Sequence, residues 1–323
     1  MANSTQISTR LPKTIEEWRA ALNELPSTPE KIPAFFFAHG SPMLAMPTGS
    51  ERSGVLGEVM KHMGPKGPLA NFLRDFGPAL LEKYKPKGIL VFSAHWETYG
   101  ERVVTDYGDE NSLLMDYYGF HPEMYQLEFK SRGDSELSQR VVQAFKEAGY
   151  LARTTSKLEP RGEDGRGFSG PGFDHGVFVP FRLMFGEKFM DVPIVEASID
   201  GSLEPEKNWA VGQAVEMLRH EGILILSGGL IIHNLRDFAG FSEQTGKPIY
   251  KAFDKAVLDA VAVEDASFRK KAMIDLVKHE GFRVAHPRAD HFMPLYVAAG
   301  AGGQGDTRLI SAIYGAPTVA FGL

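Results

Sequence analysis

Gly88-Ile-Leu-Val-Phe-Ser-Ala-His-Trp-Glu-Thr98 is the stretch from which the rest of the chain is best read. Ile89, Leu90, Val91 and Phe92 form an unbroken apolar run, the pattern of a strand covered on both faces of a sheet. His95 follows where the spacing predicts the strand to run out. In open α/β sheets ligands bind at that carboxyl end. An imidazole at such a place raises the question of whether other histidines meet it.

Working outward, Pro33-Ala-Phe-Phe-Phe-Ala38 reads as a second buried strand, and His39-Gly-Ser-Pro-Met43 as the turn leaving it. Residues 192–199 and 222–228 read as further strands, the latter delivering Gly229-Leu-Ile-Ile-His-Asn234. Val103 and Val104 suggest a shorter strand, and 307–313 and 318–321 close the sheet. Helices are expected over 14–25, opened by Thr14 and Glu17 in capping-box spacing, and over 69–81, ended or interrupted near Pro78. Others are expected over 134–148, from Pro180 to about Phe185, over 204–219, 250–262 and 265–280, and from Asp290 as N-cap to Gly300. The alternation predicts an α/β fold with a central, mostly parallel or mixed sheet flanked by helices on both faces. With no repeat and no Pro- or Ser-rich linker, it predicts a single domain over 31–323, preceded by an N-terminal extension over 1–30 that carries the short helix. Residues 46–67 read as a long surface loop and candidate lid, and 158–172, rich in Gly, Arg and acidic residues, as a flexible insertion.

Composition removes several classes of function. The 41 acidic against 35 basic residues give a net charge of −6, and no basic stripe with interleaved aromatics is present, which argues against nucleic acid. No apolar run approaches the roughly 20 residues of a membrane span. The opening residues lack the apolar core of a secretory signal, so the cytoplasm is the expected compartment. The absence of cysteine excludes disulfides, thiolate ligands and a cysteine nucleophile. Any metal site must then use nitrogen and oxygen donors, which suit zinc, iron or manganese.

Ten histidines supply such donors. A catalytic metal commonly has three protein ligands and an open position, each ligand aimed by a rigid element. His39 and His95 each follow a buried strand directly, so two strands ending side by side would place both imidazoles at one sheet edge. His291, at a predicted helix start, would approach from across the pocket. His233 also follows a strand-like run and is either a fourth ligand or a free base beside the metal. His175 has glycines on both sides in Gly172-Phe-Asp-His-Gly176, which permits close approach of a ligand to the backbone. His62 in the proposed lid, His220 and His279 at helix ends, and His121 before Pro122 carry less weight. His286 lies five residues before His291, not at the i, i+4 spacing of a helical zinc pair. His39-Gly-Ser41 is not a nucleophile elbow, and Gly300-Ala-Gly-Gly303, with no lysine after it, is not a phosphate-binding loop.

Six short motifs in order resemble the class III extradiol ring-cleavage dioxygenases, in their 4,5-DOPA dioxygenase branch. They are Ala38-His-Gly-Ser-Pro-Met43, Ser93-Ala-His-Trp96, Tyr118-Gly-Phe120 with Tyr125, Gly172-Phe-Asp-His-Gly176, Ser227-Gly-Gly with His233-Asn-Leu-Arg236, and His286-Pro-Arg-Ala-Asp-His-Phe-Met-Pro-Leu295. They extend over about residues 33–322. Any one of them is weak, and the ordered set is specific. The N-terminal helix and the 160–170 insertion stand outside the family pattern.

The resemblance implies one divalent metal held by His39, His95 and His291, with Asp290 just before the last ligand. It implies His233 as catalytic acid/base and His175 as a second catalytic residue that orients substrate. It implies an aromatic pocket to which Tyr118 contributes; Tyr117, Tyr118 and Phe120 are equally readable as ordinary core. The reaction it implies opens a catechol ring, DOPA-like, with dioxygen, and needs ferrous iron. A zinc-binding protein on the same scaffold, hydrolytic or acting by binding as Memo-like relatives do, is the alternative. Intact His233 and His175 favour the enzyme. The substrate's identity and the oligomeric state have no signature in the sequence.

Overall fold

The computed structural model describes residues 11–27, 31–47, 53–161 and 167–323. In chain order the elements are α1 (Ile15–Asn23), β1 (Ala34–Ala38), α2 (Gly54–Met63), α3 (Pro68–Tyr84), β2 (Gly88–Thr98), β3 (Glu101–Thr105), β4 (Lys130–Ser131), α4 (Ser135–Glu147) and β5 (Leu151–Thr155). They continue with α5 (His175–Phe185), β6 (Lys188–Phe189), β7 (Ile194–Asp200), α6 (Pro205–Ala214), β8 (Ile223–Gly229), α7 (Pro248–Val261), α8 (Ala266–Asp275), α9 (Phe282–Ala285), α10 (Met293–Gly302), β9 (Thr307–Ser311) and β10 (Thr318–Phe321). Short 3₁₀ turns join several of them, among them Asp290–Phe292 immediately before α10.

One eight-stranded sheet in the order β5-β3-β7-β2-β8-β1-β10-β9 organises a single α/β domain. Its centre, β7-β2-β8-β1, is parallel, while β3 pairs antiparallel with β7 and β10 antiparallel with β1, so the sheet is mixed. The two faces carry separate cores. One is built on α4, α6, α7 and α10 around Leu90, Phe92 and Ile225. The other is built on α1, α3 and α5 around Phe35, Phe37 and Val91. Alternate residues of β1 and of the Ile89–Phe92 part of β2 therefore enter opposite layers, as the period of a strand requires, and that is why both segments are unbroken apolar runs. Among the described residues no helix is long and apolar enough to cross a membrane.

The structure departs from the sequence reading in identifiable places. β2 does not end before His95; it runs to Thr98, and its register against β7 shifts between Phe92 and Glu97. Such an irregularity re-aims side chains, so His95 is turned by a shifted strand rather than by a loop. α3 continues through Pro78 to Tyr84. Proline there forfeits one intrahelical bond, and the helix persists because its other face is buried, with Gly77 so close to Met184 of α5 that an added Cβ would lie 2.3 Å from the Met184 carbonyl. The proposed lid over 46–67 contains α2, whose Val59 and Met63 are buried; residues 48–52 of that stretch lie outside the described residues. Asp290 is not the N-cap of α10, since the 3₁₀ turn intervenes. β5, with exposed and part-buried residues along most of its length, was not anticipated.

At the chain's start, α1 opens with the capping box of Thr14 and Glu17. Trp18 is buried against Phe72, with ring centroids 5.8 Å apart, and its indole N–H donates to Asp75 at 2.9 Å. Residues 1–10 of the extension lie outside the described residues. Trp18→Ala should cost about 3–5 kcal/mol, the usual range for emptying a buried aromatic site, read as a lower urea midpoint. An unchanged midpoint would mean that α1 contributes nothing to the stability of the body.

Candidate metal centre

The carboxyl ends of the parallel strands bring three imidazoles together. His39 leaves β1, with its backbone N–H donating to the Gly229 carbonyl at 3.2 Å. His95 lies in the shifted part of β2, and His291 in the turn before α10, where its carbonyl accepts the Leu230 N–H at 2.9 Å. The ring centroids form a nearly equilateral triangle: His39–His95 5.0 Å, His39–His291 5.2 Å and His95–His291 4.9 Å. The Nε2 atoms of His95 and His291 face each other at 2.9 Å. All three residues are buried.

β1 and β2 do not end side by side; β8 lies between them, and it is β8 that makes room. Its last two residues, Gly228 and Gly229, are still within the strand rather than in a turn. A Cβ on Gly228 would stand 3.3 Å from the His39 Cβ, and one on Gly229 2.4 Å from the His291 carbonyl. The double glycine is thus a steric requirement of the histidine cluster. Gly229→Ala should destabilise the fold by about 1–3 kcal/mol, the cost of overpacking, and should weaken metal binding by displacing His291. Parental urea midpoint and metal affinity together would contradict that account.

Other polar groups fix the rings. Asp174, the N-cap of α5, accepts from the Gly176 N–H at 2.8 Å and the Ser93 hydroxyl at 2.7 Å, and its Oδ1 is 3.1 Å from His95 Nδ1. Asp116 accepts the His175 backbone N–H at 2.8 Å, meets His175 Nδ1 at 2.8 Å, and lies 3.3 Å from His95 Nδ1. Asp290 Oδ1 lies 3.1 Å from His291 Nδ1. Each of His95 and His291 therefore has a carboxylate on its Nδ1 side; for His95, whose Nδ1 bonds Asp174, this is the outer arrangement that fixes a ligand's tautomer and leaves Nε2 free to bind metal. Burial works against all three carboxylates as anions. For Asp116, His175 and His95 outweigh it, and for Asp290, His291, His233 and Arg288 do, so both stay well below the usual range.

The donor set suits a metal. Both ring nitrogens of His39 are buried without a hydrogen-bond partner among the described residues, a condition that costs about 1–3 kcal/mol per group unless something binds there. Burial, reinforced by neighbouring histidines, holds His39 well below the ordinary imidazole pKa. His291 is depressed by burial too, against the pull of Asp290. Metal ligands must be neutral imidazoles. Two further groups, His95–Asp116–His175 and His233–Asp290–His291, are also close enough to hold an ion. They overlap the triangle, but His175 Nδ1 is already engaged by Asp116. His39 has no such engagement.

His233 and His175 flank the triangle. The His233 ring stacks flat on His291, with centroids 3.4 Å apart and planes 10° from parallel, and its backbone N–H donates to the Ala285 carbonyl at 2.9 Å. It is half-buried. His175, in the first turn of α5, lies 4.1 Å from His95 ring to ring, and Tyr117 packs edge-on against it at 5.8 Å. Tyr118 is 81% exposed. The remaining histidines are elsewhere: His286 meets the Ile231 carbonyl at 2.9 Å, His62 the Tyr314 carbonyl at 2.9 Å, and His121 is exposed.

Sequence reasoning named Ser93 and Asp174 within motifs without giving them a role, and assigned none to Asp116, Glu196 or Arg161. Glu196 had a signal, an acid inside the apolar run of β7. Arg161 did not: it sits where a flexible insertion was expected, yet it is buried, donating to both Glu196 oxygens at 3.0 and 2.9 Å and to Asp174 at 2.8 Å. Residues 162–166 of that stretch lie outside the described residues. Burial and Asp174 push the Glu196 carboxyl well up despite Arg161, whereas for Asp174 burial is outweighed by Arg161 and His95, which hold it well down.

Residues 33–323 match the family described as the catalytic LigB subunit of aromatic ring-opening dioxygenase. A 4,5-DOPA dioxygenase extradiol-like protein of Schizosaccharomyces pombe is 40% identical over 308 residues, covering 95% of this chain and 97% of its own. A 4,5-DOPA dioxygenase extradiol of Beta vulgaris is 30% identical over 270 residues, covering 84% and 87%. The crystal structure of an uncharacterized protein from Escherichia coli K12 superposes with a TM-score of 0.60 at 22% identity, covering 90% of this chain and 100% of that one, a likeness of fold. With a family match across nine-tenths of the chain and relatives of this identity and coverage, the chain belongs to the LigB family of class III extradiol dioxygenases.

Proposed function

We propose that this protein is a non-haem, metal-dependent extradiol dioxygenase that opens a catechol ring beside its two hydroxyls. The observation that carries the reading is the buried triangle of His39, His95 and His291, with both nitrogens of His39 unpartnered among the described residues. Membership of the LigB family supports it. These three residues would hold one divalent metal, with ferrous iron as the working ion. Ferrous iron, when bound, supplies the electron transfer from ring to dioxygen that zinc cannot.

The remaining chemistry falls to the chain's own groups. A catechol must lose a hydroxyl proton to bind as an anion, and the ring-opened product must regain one. His233, half-buried and held flat against His291, is the group assigned to move that proton. His175, with Nδ1 engaged by Asp116, presents its other nitrogen as a group to orient the substrate oxygen. Tyr117, buried beside His175, forms an apolar wall for the ring. Tyr118, also expected to bind substrate, would do so only as an exposed residue at the rim. Both atoms of dioxygen enter the product as the carbon–carbon bond next to a hydroxylated carbon breaks, leaving an acid and an aldehyde.

The test is anaerobic loading with ferrous iron, then a catechol panel in air-saturated buffer, following oxygen uptake and a yellow ring-opened product. Zinc binds imidazole sites more tightly than ferrous iron, so the zinc-loaded protein serves as the inactive comparison. Iron bound at one equivalent with no turnover across the panel would overturn the reading in favour of a zinc or binding role.

A further inference from the structure

We infer that Arg161 is a positioning residue for the metal centre, orienting His95 through Asp174; this rests on the reading of His39, His95 and His291 as ligands. Among the described residues the hydrogen bonds and ion pairs of Arg161 run to Glu196, Asp174 and Trp96. Its guanidinium lies under the site, fully buried, with one arm bonded to both oxygens of Glu196 on β7 and the other to Asp174 Oδ2 at 2.8 Å. The second oxygen of Asp174 faces His95 Nδ1 at 3.1 Å and also takes the Ser93 hydroxyl and the Gly176 N–H. A carboxylate with one oxygen clamped by a guanidinium and the other shared among three groups cannot rotate away from His95. The consequence is a His95 ring fixed with Nδ1 on the protein side and Nε2 toward His291.

A second set of contacts ties Arg161 to the same strand. The guanidinium carbon sits 5.1 Å from the centre of the Trp96 ring, and the Trp96 indole N–H donates to the Arg161 carbonyl at 2.7 Å. Trp96 is the residue after His95, in the part of β2 where the register shifts. Arg161 thus holds the ligand-bearing segment through both its side chain and its backbone. Lysine carries the charge but not the planar fork that spans two carboxylates and stacks on an indole.

The test compares Arg161→Lys, Arg161→Met, Glu196→Gln and His95→Ala by cobalt(II) binding in chelator competition. The visible bands of the cobalt-loaded protein report ligand geometry, at a temperature where circular dichroism shows each variant folded. Arg161→Lys should weaken cobalt binding by about 10- to 100-fold, the range for partners of metal ligands, and should shift the visible bands. Glu196→Gln, which leaves the Arg161–Asp174 bond in place, should lower the melting temperature while keeping affinity and spectrum parental. Should Arg161→Met not fold, the lysine variant decides. Parental affinity and bands in Arg161→Lys, with binding abolished in His95→Ala, would make Arg161 structural only and leave the metal reading standing. Equal weakening in Arg161→Lys and Glu196→Gln would likewise overturn the inference, and parental binding in His95→Ala would overturn both.

Discussion

His95→Ala is expected to abolish stoichiometric metal binding, lowering affinity by more than about 100-fold, since loss of an outer partner alone costs 10- to 100-fold. The expectation follows from geometry. With His95 gone, His39 and His291 remain as two nitrogen donors 5.2 Å apart ring to ring, short of the three protein ligands a catalytic ion normally takes. His95 is also the meeting point of the outer groups, facing Asp174 at 3.1 Å and Asp116 at 3.3 Å. Metal content after loading and cobalt titration read the effect. His286→Ala is the matched control, because that buried ring meets a backbone carbonyl and does not face the triangle. It should bind metal as the parent does, though it unfolds more easily.

His233→Ala should behave in the opposite way, keeping the metal within a few-fold and losing turnover by about 10²- to 10⁴-fold, the usual contribution of a positioned proton-transfer group. The stack on His291 complicates a simple truncation, because removing the ring frees one face of a proposed ligand. His233→Phe separates the two effects. A phenyl ring preserves the stack and cannot carry a proton, so it should be as inactive as the alanine variant and bind metal as the parent does. Turnover retained in the phenylalanine variant would remove His233 from the chemistry. Metal lost in both would make it part of the ligand set.

Much of this architecture was legible because the strands that matter are apolar on both sides. Phe35 to Phe37, Ile89 to Phe92 and Ile223 to Leu226 announce buried parallel strands, and the histidines following them announce the site. Opaque features are those in which tertiary packing overrides local pattern. α2 forms in a stretch rich in glycine and serine because Val59 and Met63 find the core, and α3 survives Pro78 because its buried face holds it. The role of Gly228 and Gly229 depends on β8 lying between β1 and β2, a neighbour relation that no local pattern contains. Arg161 is the plainest case. Its surroundings read as a solvated insertion, and its partners Asp174 and Glu196 lie 13 and 35 residues away.

Among the described residues three overlapping groups of side chains in this site are close enough to hold an ion, and the proposed metal position is the one between His39, His95 and His291. The direct test is a crystal structure of the metal-loaded protein with anomalous scattering recorded across the absorption edge of the metal. A single anomalous peak is expected, bonded to nitrogens of His39, His95 and His291 at about 2.0–2.1 Å, with His233 and His175 uncoordinated beside it. A peak ligated by His95, Asp116 and His175, or by His233, Asp290 and His291, with His39 left out, would contradict that assignment.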